Sequence, residues 1–168
     1  MKPCRRNGII KSIIFAALVI SGAAFYSSCV SAGNAAAGND SLVIRDAKSG
    51  RVYGKWFLEE PKEFAIEFIH SVNQSPVRDY FIIENNMIRL VALRYYSFGA
   101  GMPTGLEEGQ TLSFDGDAMV ISGYRASFKE LNYIVGTVSD HLLFINNSES
   151  ISLRNLCGRN ANIKISFE

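Results

Sequence analysis

Alternation of apolar and polar residues with a period of two runs through almost the whole chain after residue 41, and it limits the fold more than any other feature. The clearest example is the segment 63–72, in which Phe64, Ile66, Phe68 and His70 fall on one side. Successive side chains of a β-strand point to opposite faces of the sheet, so this pattern predicts strands buried on one face. Similar runs occupy 42–47, 51–58, 77–84, 87–96, 118–123, 133–138, 141–146, 150–155 and 163–167.

Turn-forming residues separate these runs. Asn, Asp and Gly, which tolerate the positive φ angles of tight hairpins, occur at 48–50, 84–86, 115–117 and 146–148. Short, closely spaced strands with one plausible helical turn, at 125–132, are typical of an antiparallel β-sandwich or barrel. The sequence therefore predicts an all-β domain of about 8–10 short strands behind an N-terminal signal segment. The long irregular connection at 97–110 is a candidate functional loop.

The N-terminal segment has the layout of a secretory signal. Residues 1–11 carry four basic side chains, and residues 12–26 carry no charge before small residues follow. We expect a signal peptide or membrane anchor at 1–32, a flexible spacer at 33–40 and the β domain at 41–168. Cleavage before Gly33 fits the small residues that precede it, and an uncleaved anchor requires the apolar stretch to extend through Val30. The expected location is extracytoplasmic, in the periplasm or on the outer face of the cytoplasmic membrane.

The three cysteines are Cys4, Cys29 and Cys157. Small residues precede Cys29 as in bacterial lipoproteins, but Tyr26 stands where a lipobox has an aliphatic residue, so lipidation and removal with the signal both stay open. Only Cys157 certainly belongs to the folded domain, which excludes an internal disulfide and a zinc-finger type of metal site there.

The charge distribution argues against a nucleic-acid partner. The chain has 17 Lys and Arg against 16 Asp and Glu, but four of the basic residues precede or enter the apolar segment. The remaining domain is mildly acidic and has no basic cluster, which is a poor match to nucleic-acid binding. The hydrophobic content of the whole chain, 48%, also excludes intrinsic disorder.

Histidines and carboxylates suggest one enzymatic alternative. His70 lies on the expected core face, either as a satisfied buried histidine or as a ligand-binding or proton-handling group at a strand end. Its neighbour Ser71 points to the opposite face, so His70 cannot easily activate it. His70, Asp79 and His141 could converge in a hydrolytic or metal-assisted site, although their spacing matches no known motif.

The glycine-rich segment 99–105 does not fit a nucleotide-binding loop. Its glycines are one residue off the dinucleotide fingerprint, Pro103 interrupts them, and no helix or Gly-Lys-Ser/Thr motif follows. No cofactor is expected. Two interpretations stay open, a structural loop folded over an open end of the sheet and a set of backbone amides that binds a carboxylate.

Two segments together resemble a known family. Phe-Ile-His-Ser-Val at 68–72, Pro-Val at 76–77 and Gly-Ala-Gly-Met-Pro at 99–103 resemble the bacterial domain-of-unknown-function family 1850, over roughly residues 42–155. The resemblance implies a small exported or membrane-anchored protein, often encoded beside tripartite ATP-independent periplasmic (TRAP) transporters of the TAXI subclass. The matched positions are His70, Ser71, Val72, Pro76, Val77, Gly99, Gly101 and Pro103, and Asp79 corresponds to an acidic residue common in the family.

We therefore expect a binding or accessory module rather than an enzyme. Its partner would be the permease or the solute-binding protein of a TRAP-type uptake system, and it would contact the membrane through its N-terminal segment if that is retained or lipidated. The contact surface would combine the strand end at His70, Ser71, Asn73, Pro76 and Asp79 with Gly99, Gly101 and Pro103 of the loop. An open sheet edge could also accept a strand from another chain. A purely structural envelope protein is a third possibility.

Overall fold

The computed structural model describes residues 40–98, 101–146 and 150–168. Within these ranges the chain forms twelve strands and one short helix, and ten of the strands have five or more residues. The elements are β1 (Ser41–Asp46), β2 (Val52–Phe57), β3 (Glu63–Ile69), β4 (Pro76–Glu84), β5 (Met87–Tyr95), β6 (Thr111–Asp115), β7 (Ala118–Ser122), β8 (Ser127–Phe128), β9 (Glu130–Ile134), β10 (His141–Ile145), β11 (Ile151–Ser152), α1 (Leu153–Cys157) and β12 (Asn162–Phe167). The expected signal segment and Cys29 lie outside the described residues.

The strands form two open antiparallel sheets. The four-stranded sheet has the order β2-β1-β12-β9. The eight-stranded sheet has the order β11-β10-β3-β4-β5-β7-β6, with β8 paired beside β5. The prediction of an all-β antiparallel fold is confirmed, and the open sheets make it a sandwich rather than a closed barrel. Helix α1, the one helix of these ranges, is too short and too polar to cross a membrane.

The main core lies between the two sheets. It joins inward-facing side chains of β1 and β12 to those of β3, β4, β5 and β10. Phe64 and Phe81 stack at its centre with ring centroids 4.9 Å apart. Aliphatic side chains surround this pair on both sheets, as the period-two pattern predicts. The fully buried members include Leu42, Ile44, Ile66, Ile88, Leu143, Ile163 and Ile165.

A second core lies under the long loop. It contains residues of β4, β5 and β7 together with Met102, but no residue of the four-stranded sheet. Met102 is buried against Val77, Tyr95 and Ile121. The wider sheet thus has inward-facing strands that the narrower sheet does not cover, and the loop supplies the apolar side chain that covers them.

Local expectations were wrong in three places. The segment 125–132 contains β8 and the start of β9 instead of a helical turn, because its residues pair with β5 and β12. The strand expected at 133–138 ends at Ile134. The strand expected at 150–155 is two residues long, because Ser152 accepts a hydrogen bond from the amide of Asn155 and begins α1. Strand β6 is an additional element.

Candidate functional site

A hydrogen-bonded turn follows β3 and is built around His70. The amide of His70 donates to the carbonyl of Ser75 at 2.9 Å, and the amide of Gln74 donates back to the carbonyl of His70 at 2.9 Å. His70 Nδ1 accepts hydrogen bonds from the amides of Val72 at 3.3 Å and Asn73 at 3.2 Å. This nitrogen therefore shapes the turn, and the role of His70 as a ligand-binding or proton-handling group stays a prediction.

The turn is joined to the long loop by Asn73. Its side-chain amide donates to the carbonyl of Ser97 at 3.3 Å, so two segments far apart in sequence lie side by side. Ser71 is exposed, and Pro76 begins β4 opposite Ile69 of β3. The structure thus brings His70, Ser71, Asn73 and Pro76 to one end of the sandwich, beside the start of the loop.

Three apolar side chains project from the same end. Val72 is 69% exposed, Phe98 is 54% exposed and Val138 is 91% exposed. Asn73 attaches the turn to the loop beside Phe98, and Ser139 Oγ donates to the carbonyl of Ile69 at 3.0 Å, which attaches the segment beside Val138. We call Ile69, Val72, Phe98 and Val138 the tip surface.

The loop itself is anchored from below. Gly101 has a φ of +89°, a backbone conformation that glycine adopts without strain. The hydroxyl of Tyr95 lies 3.5 Å from the carbonyl of Pro103, and Met102, the residue before Pro103, is buried. These contacts support the interpretation of a structural loop folded over the sheet. Gly99 lies outside the described residues.

Asp79 lies inside the sandwich and not at the tip surface. It belongs to β4, opposite Ile66 of β3 and Leu93 of β5, so its inward-facing neighbours are apolar. Tyr133 of the other sheet donates its hydroxyl hydrogen to Asp79 Oδ2 at 3.2 Å. Burial raises the pKa of Asp79, an effect that the hydrogen bond from Tyr133 partly opposes. Burial and the nearby carboxylate also raise the pKa of Tyr133.

His141 contacts the same tyrosine. The two ring centroids lie 6.0 Å apart in an edge arrangement, and His141 also lies 5.2 Å from the ring of Phe68. Its Nδ1 accepts a hydrogen bond from the amide of Gly136 at 3.2 Å. Burial lowers the pKa of His141, with Asp140 opposing and Arg154 adding to the shift.

The alternative arrangement, in which His70, Asp79 and His141 converge on a metal ion, is not observed. Among residues 40–98, 101–146 and 150–168, no three His, Cys, Asp or Glu side chains form a group able to hold a metal. The physical reason is that His70 bends the turn while Asp79 and His141 face Tyr133. The carboxylate of Asp140, beside His141, accepts instead from Ser152 Oγ and from the amide of Arg154 at the start of α1.

Some residues of interest carried only weak sequence signals. Tyr133 belongs to a strand that was misplaced by three residues, so its partnership with Asp79 could not be read from local pattern. A repeated Arg-x-Tyr, at 78–80 and 94–96, was the available signal for a second region. The register places Arg78, Tyr80 and Arg94 on the outer face of the eight-stranded sheet, away from the tip surface.

Comparison with known proteins gives one family. Residues 64–153, more than half of the chain, match the model of a family described as a domain of unknown function (DUF1850). The match covers β3 to the first residue of α1, which includes the turn at His70, the long loop and the Asp79–Tyr133 pair. No curated protein matches the chain. No solved structure matches it.

Proposed function

The chain belongs to the DUF1850 family, and from this premise and its tip surface we propose that it is an exported binding subunit of a TRAP-type solute uptake system of the TAXI subclass. The proposal locates the domain outside the cytoplasm, with its N-terminal segment acting as signal or anchor. The tip surface would contact the permease or the solute-binding protein. The protein binds and positions its partner and catalyses no reaction of its own.

The single observation that carries this proposal is the exposure of the tip surface. Isolated apolar side chains on a protein surface are common, but Val72, Phe98 and Val138 come from three segments that meet at one end of the sandwich. Burying such side chains against a partner removes apolar area from water and provides most of the binding free energy of an interface.

The tip surface is also held in shape before any partner arrives. The bonds from Asn73 to Ser97 and from Ser139 to Ile69 fix the three segments relative to one another. A preorganised surface loses less conformational entropy on binding than a flexible one. The matched family positions at His70 and Pro76 then act by shaping the surface, because the His70 ring bends the turn and Pro76 starts the next strand.

The enzymatic alternative, with His70, Asp79 and His141 as catalytic groups, has weaker support. Asp79 and His141 share a contact with Tyr133, but His70 accepts hydrogen bonds within its own turn. General acid–base catalysis needs groups within hydrogen-bond reach of the same reacting atom. The tip surface, by contrast, presents apolar side chains that are more than half exposed at Val72, Phe98 and Val138.

Affinity capture tests the proposal. The tagged full-length protein is extracted from native membranes in mild detergent, and the captured proteins are identified by mass spectrometry. We expect TRAP permease or solute-binding subunits with the unmodified protein, and at least about tenfold lower recovery with the double variant Val72→Asp and Val138→Asp.

Phe57→Asp is the matched control. Phe57 is 63% exposed at the opposite end of the sandwich, where its carbonyl accepts from the side chain of Asn146 beyond the far end of β10. This variant should capture the same subunits as the unmodified protein. Absence of TRAP subunits from the unmodified capture, or equal recovery with the double variant, would overturn the proposal.

A further inference from the structure

A groove of about 650 Å³ lies on the outer face of the eight-stranded sheet. Register explains it, because Phe144, Ala65, Tyr80 and Ala92 face one another across four neighbouring strands. The two alanines leave space on either side of the Tyr80 ring, which larger side chains in their places would fill. The volume lies within the range of about 300–1,000 Å³ that is usual for small-molecule sites.

Two arginines lie side by side in the next row of this face. Arg78 of β4 and Arg94 of β5 are paired directly across the strands, and both line the groove. Like charges in directly opposed positions of a sheet destabilise it, so such a pair requires counter-charges. A functional reason for retaining the pair is that two guanidinium groups together can bind a single anionic group by several charge-assisted hydrogen bonds.

The two arginines are neutralised in different ways. Arg78 Nε and Nη2 both lie 2.8 Å from Glu67 Oε2, and the Glu67 side chain is only 18% exposed. Arg94 Nη2 lies 3.1 Å from Asp115 Oδ2, but the Asp115 side chain is 72% exposed. A solvent-exposed ion pair contributes little to stability. Asp115 is therefore a counter-ion that an incoming anion can replace, whereas Glu67 is a fixed one.

Aromatic rings border the charged pair and fix its position. The Arg78 guanidinium lies 4.1 Å from the centroid of the Phe144 ring, and that of Arg94 lies 5.1 Å from the centroid of Tyr96. Arg94 Nη1 also donates to the hydroxyl of Tyr96 at 2.7 Å. The groove thus combines two oriented cationic groups with an apolar floor that includes Ala65, Ala92 and Val120.

We propose that this groove is a binding site for a small organic carboxylate with a flat apolar body. Its acid group would lie between Arg78 and Arg94, where it replaces Asp115 as the counter-ion of Arg94. Its apolar body would lie over Ala92, beside the ring of Tyr80. Glu63, the remaining acidic side chain of the groove, belongs to the row beyond the alanines and so lies beyond the apolar body. The site is separate from the tip surface.

The test uses naphthalene-2-carboxylate as the probe and neutral naphthalene-2-methanol as its uncharged match. Both are titrated into the full-length protein by calorimetry at physiological salt. We expect the carboxylate to bind at least about tenfold tighter than the alcohol, because only the carboxylate gains charge-assisted hydrogen bonds. Arg94→Gln and Ala92→Leu should each weaken its binding by about tenfold or more, through loss of a guanidinium and of space respectively. Asp115→Asn should strengthen it, since a competing carboxylate is removed.

Arg89→Gln is the control. Arg89 belongs to the same strand and forms a surface ion pair with Glu84 outside the groove, so this change should leave binding unaltered. Thermal melting establishes that each variant is folded. Equal binding of the acid and the alcohol, or binding that Arg94→Gln and Ala92→Leu both leave unchanged, overturns the proposal. Tighter binding of a peptide with a free C-terminal phenylalanine than of the probe also overturns it, because the groove would then be a protein-docking site.

Discussion

The hydroxyl of Tyr133 donates a hydrogen bond to Asp79 across the interior of the sandwich, at 3.2 Å between Oη and Oδ2. The two residues lie 54 positions apart in sequence and in different sheets. Asp79 is flanked on its own sheet by Ile66 and Leu93, so Tyr133 provides the hydrogen bond that these neighbours cannot. The pair thus links the two sheets through a polar contact between their facing sides.

Removal of this hydrogen bond should destabilise the domain. We expect Tyr133→Phe to lower the free energy of unfolding by about 1–2 kcal/mol at neutral pH, because a largely buried carboxylate then lacks its donor. The loss should be smaller near pH 3, where the carboxyl group is protonated. Urea unfolding at the two pH values measures both effects.

Tyr53→Phe provides the control for this change. The hydroxyl of Tyr53 also lies 3.2 Å from a carboxylate, that of Asp46, but Asp46 additionally accepts hydrogen bonds from Lys48 and Ser49. Tyr53→Phe should therefore lower the free energy of unfolding by less than Tyr133→Phe does. Equal losses of unfolding free energy in the two variants would show that the Tyr133–Asp79 hydrogen bond stabilises the domain no more than the Tyr53–Asp46 hydrogen bond does.

Titration of Asp79 should make stability fall as pH rises. Its folded-state pKa is raised, so the stability it contributes is fully present below the unfolded value of about 3.9 and is lost as pH rises through the folded value. Asp79→Asn removes this titration and keeps an oxygen that can accept from Tyr133. We expect the variant to gain stability relative to the unmodified protein between acidic and neutral pH.

Asp46→Asn should show the opposite sign. Hydrogen bonds from Ser49 lower the pKa of Asp46, so its contribution is present above about pH 3.9 and is lost as pH falls through the folded value. This variant should lose stability relative to the unmodified protein over the same interval. A change in stability of the same sign in Asp79→Asn and Asp46→Asn would contradict the assigned pKa directions.

The all-β fold could be predicted from the sequence because strands and turns leave local patterns in it. Alternation indicates which face of a strand is buried, and turn residues indicate where a strand ends. Both features can therefore be read from the sequence without the three-dimensional structure. The strand boundaries were wrong where a capping hydrogen bond or a strand pairing determined the structure against the local pattern. Ser152 begins a helix within an alternating run, and Phe128 pairs with Ile88 in a segment that resembles a helical turn.

The candidate site was harder to predict because it depends on long-range contacts. The turn at His70 and the start of the long loop were both singled out, and Asn73 does join them through Ser97. No local pattern indicates that Asp79 turns inward to a tyrosine of the other sheet. Likewise, Arg78 and Arg94 become neighbours only through the register of β4 and β5.

His141 should make the domain sensitive to mild acid. Its folded-state pKa is lowered below the unfolded value of about 6.5, mainly by burial, so stability is present above that pH and is lost as pH falls. Protonation at Nδ1 would also break the hydrogen bond from the Gly136 amide. We expect His141→Gln to reduce the change of the unfolding free energy with pH between about pH 8 and pH 5. The protection of the Gly136 amide, measured as its exchange rate relative to that of an unstructured peptide at the same pH, should fall in acid only in the unmodified protein. A constant protection in that protein would refute the assignment.

Two glycines, Gly101 within the long loop and Gly123 just after β7, offer a matched test of the structural role of the loop. Gly101 and Gly123 have nearly the same φ, +89° and +87°, so alanine introduces the same backbone strain of about 1–2 kcal/mol at each. The two positions differ in the space available for an added Cβ atom. A Cβ at Gly101 meets nothing within 4 Å, whereas one at Gly123 would collide with the carbonyl oxygen of Gly109, where the loop returns to β6.

The two alanine variants should therefore separate strain from displacement of the loop. Gly123→Ala should cost roughly 1–3 kcal/mol more than Gly101→Ala in urea unfolding, because backbone must move away from the new methyl group. It should also increase proteolytic cleavage within 97–110, since that movement loosens the segment that holds Met102 over the second core. Equal costs and equal cleavage would mean that the loop is not held against β7, and that the second core is covered in some other way.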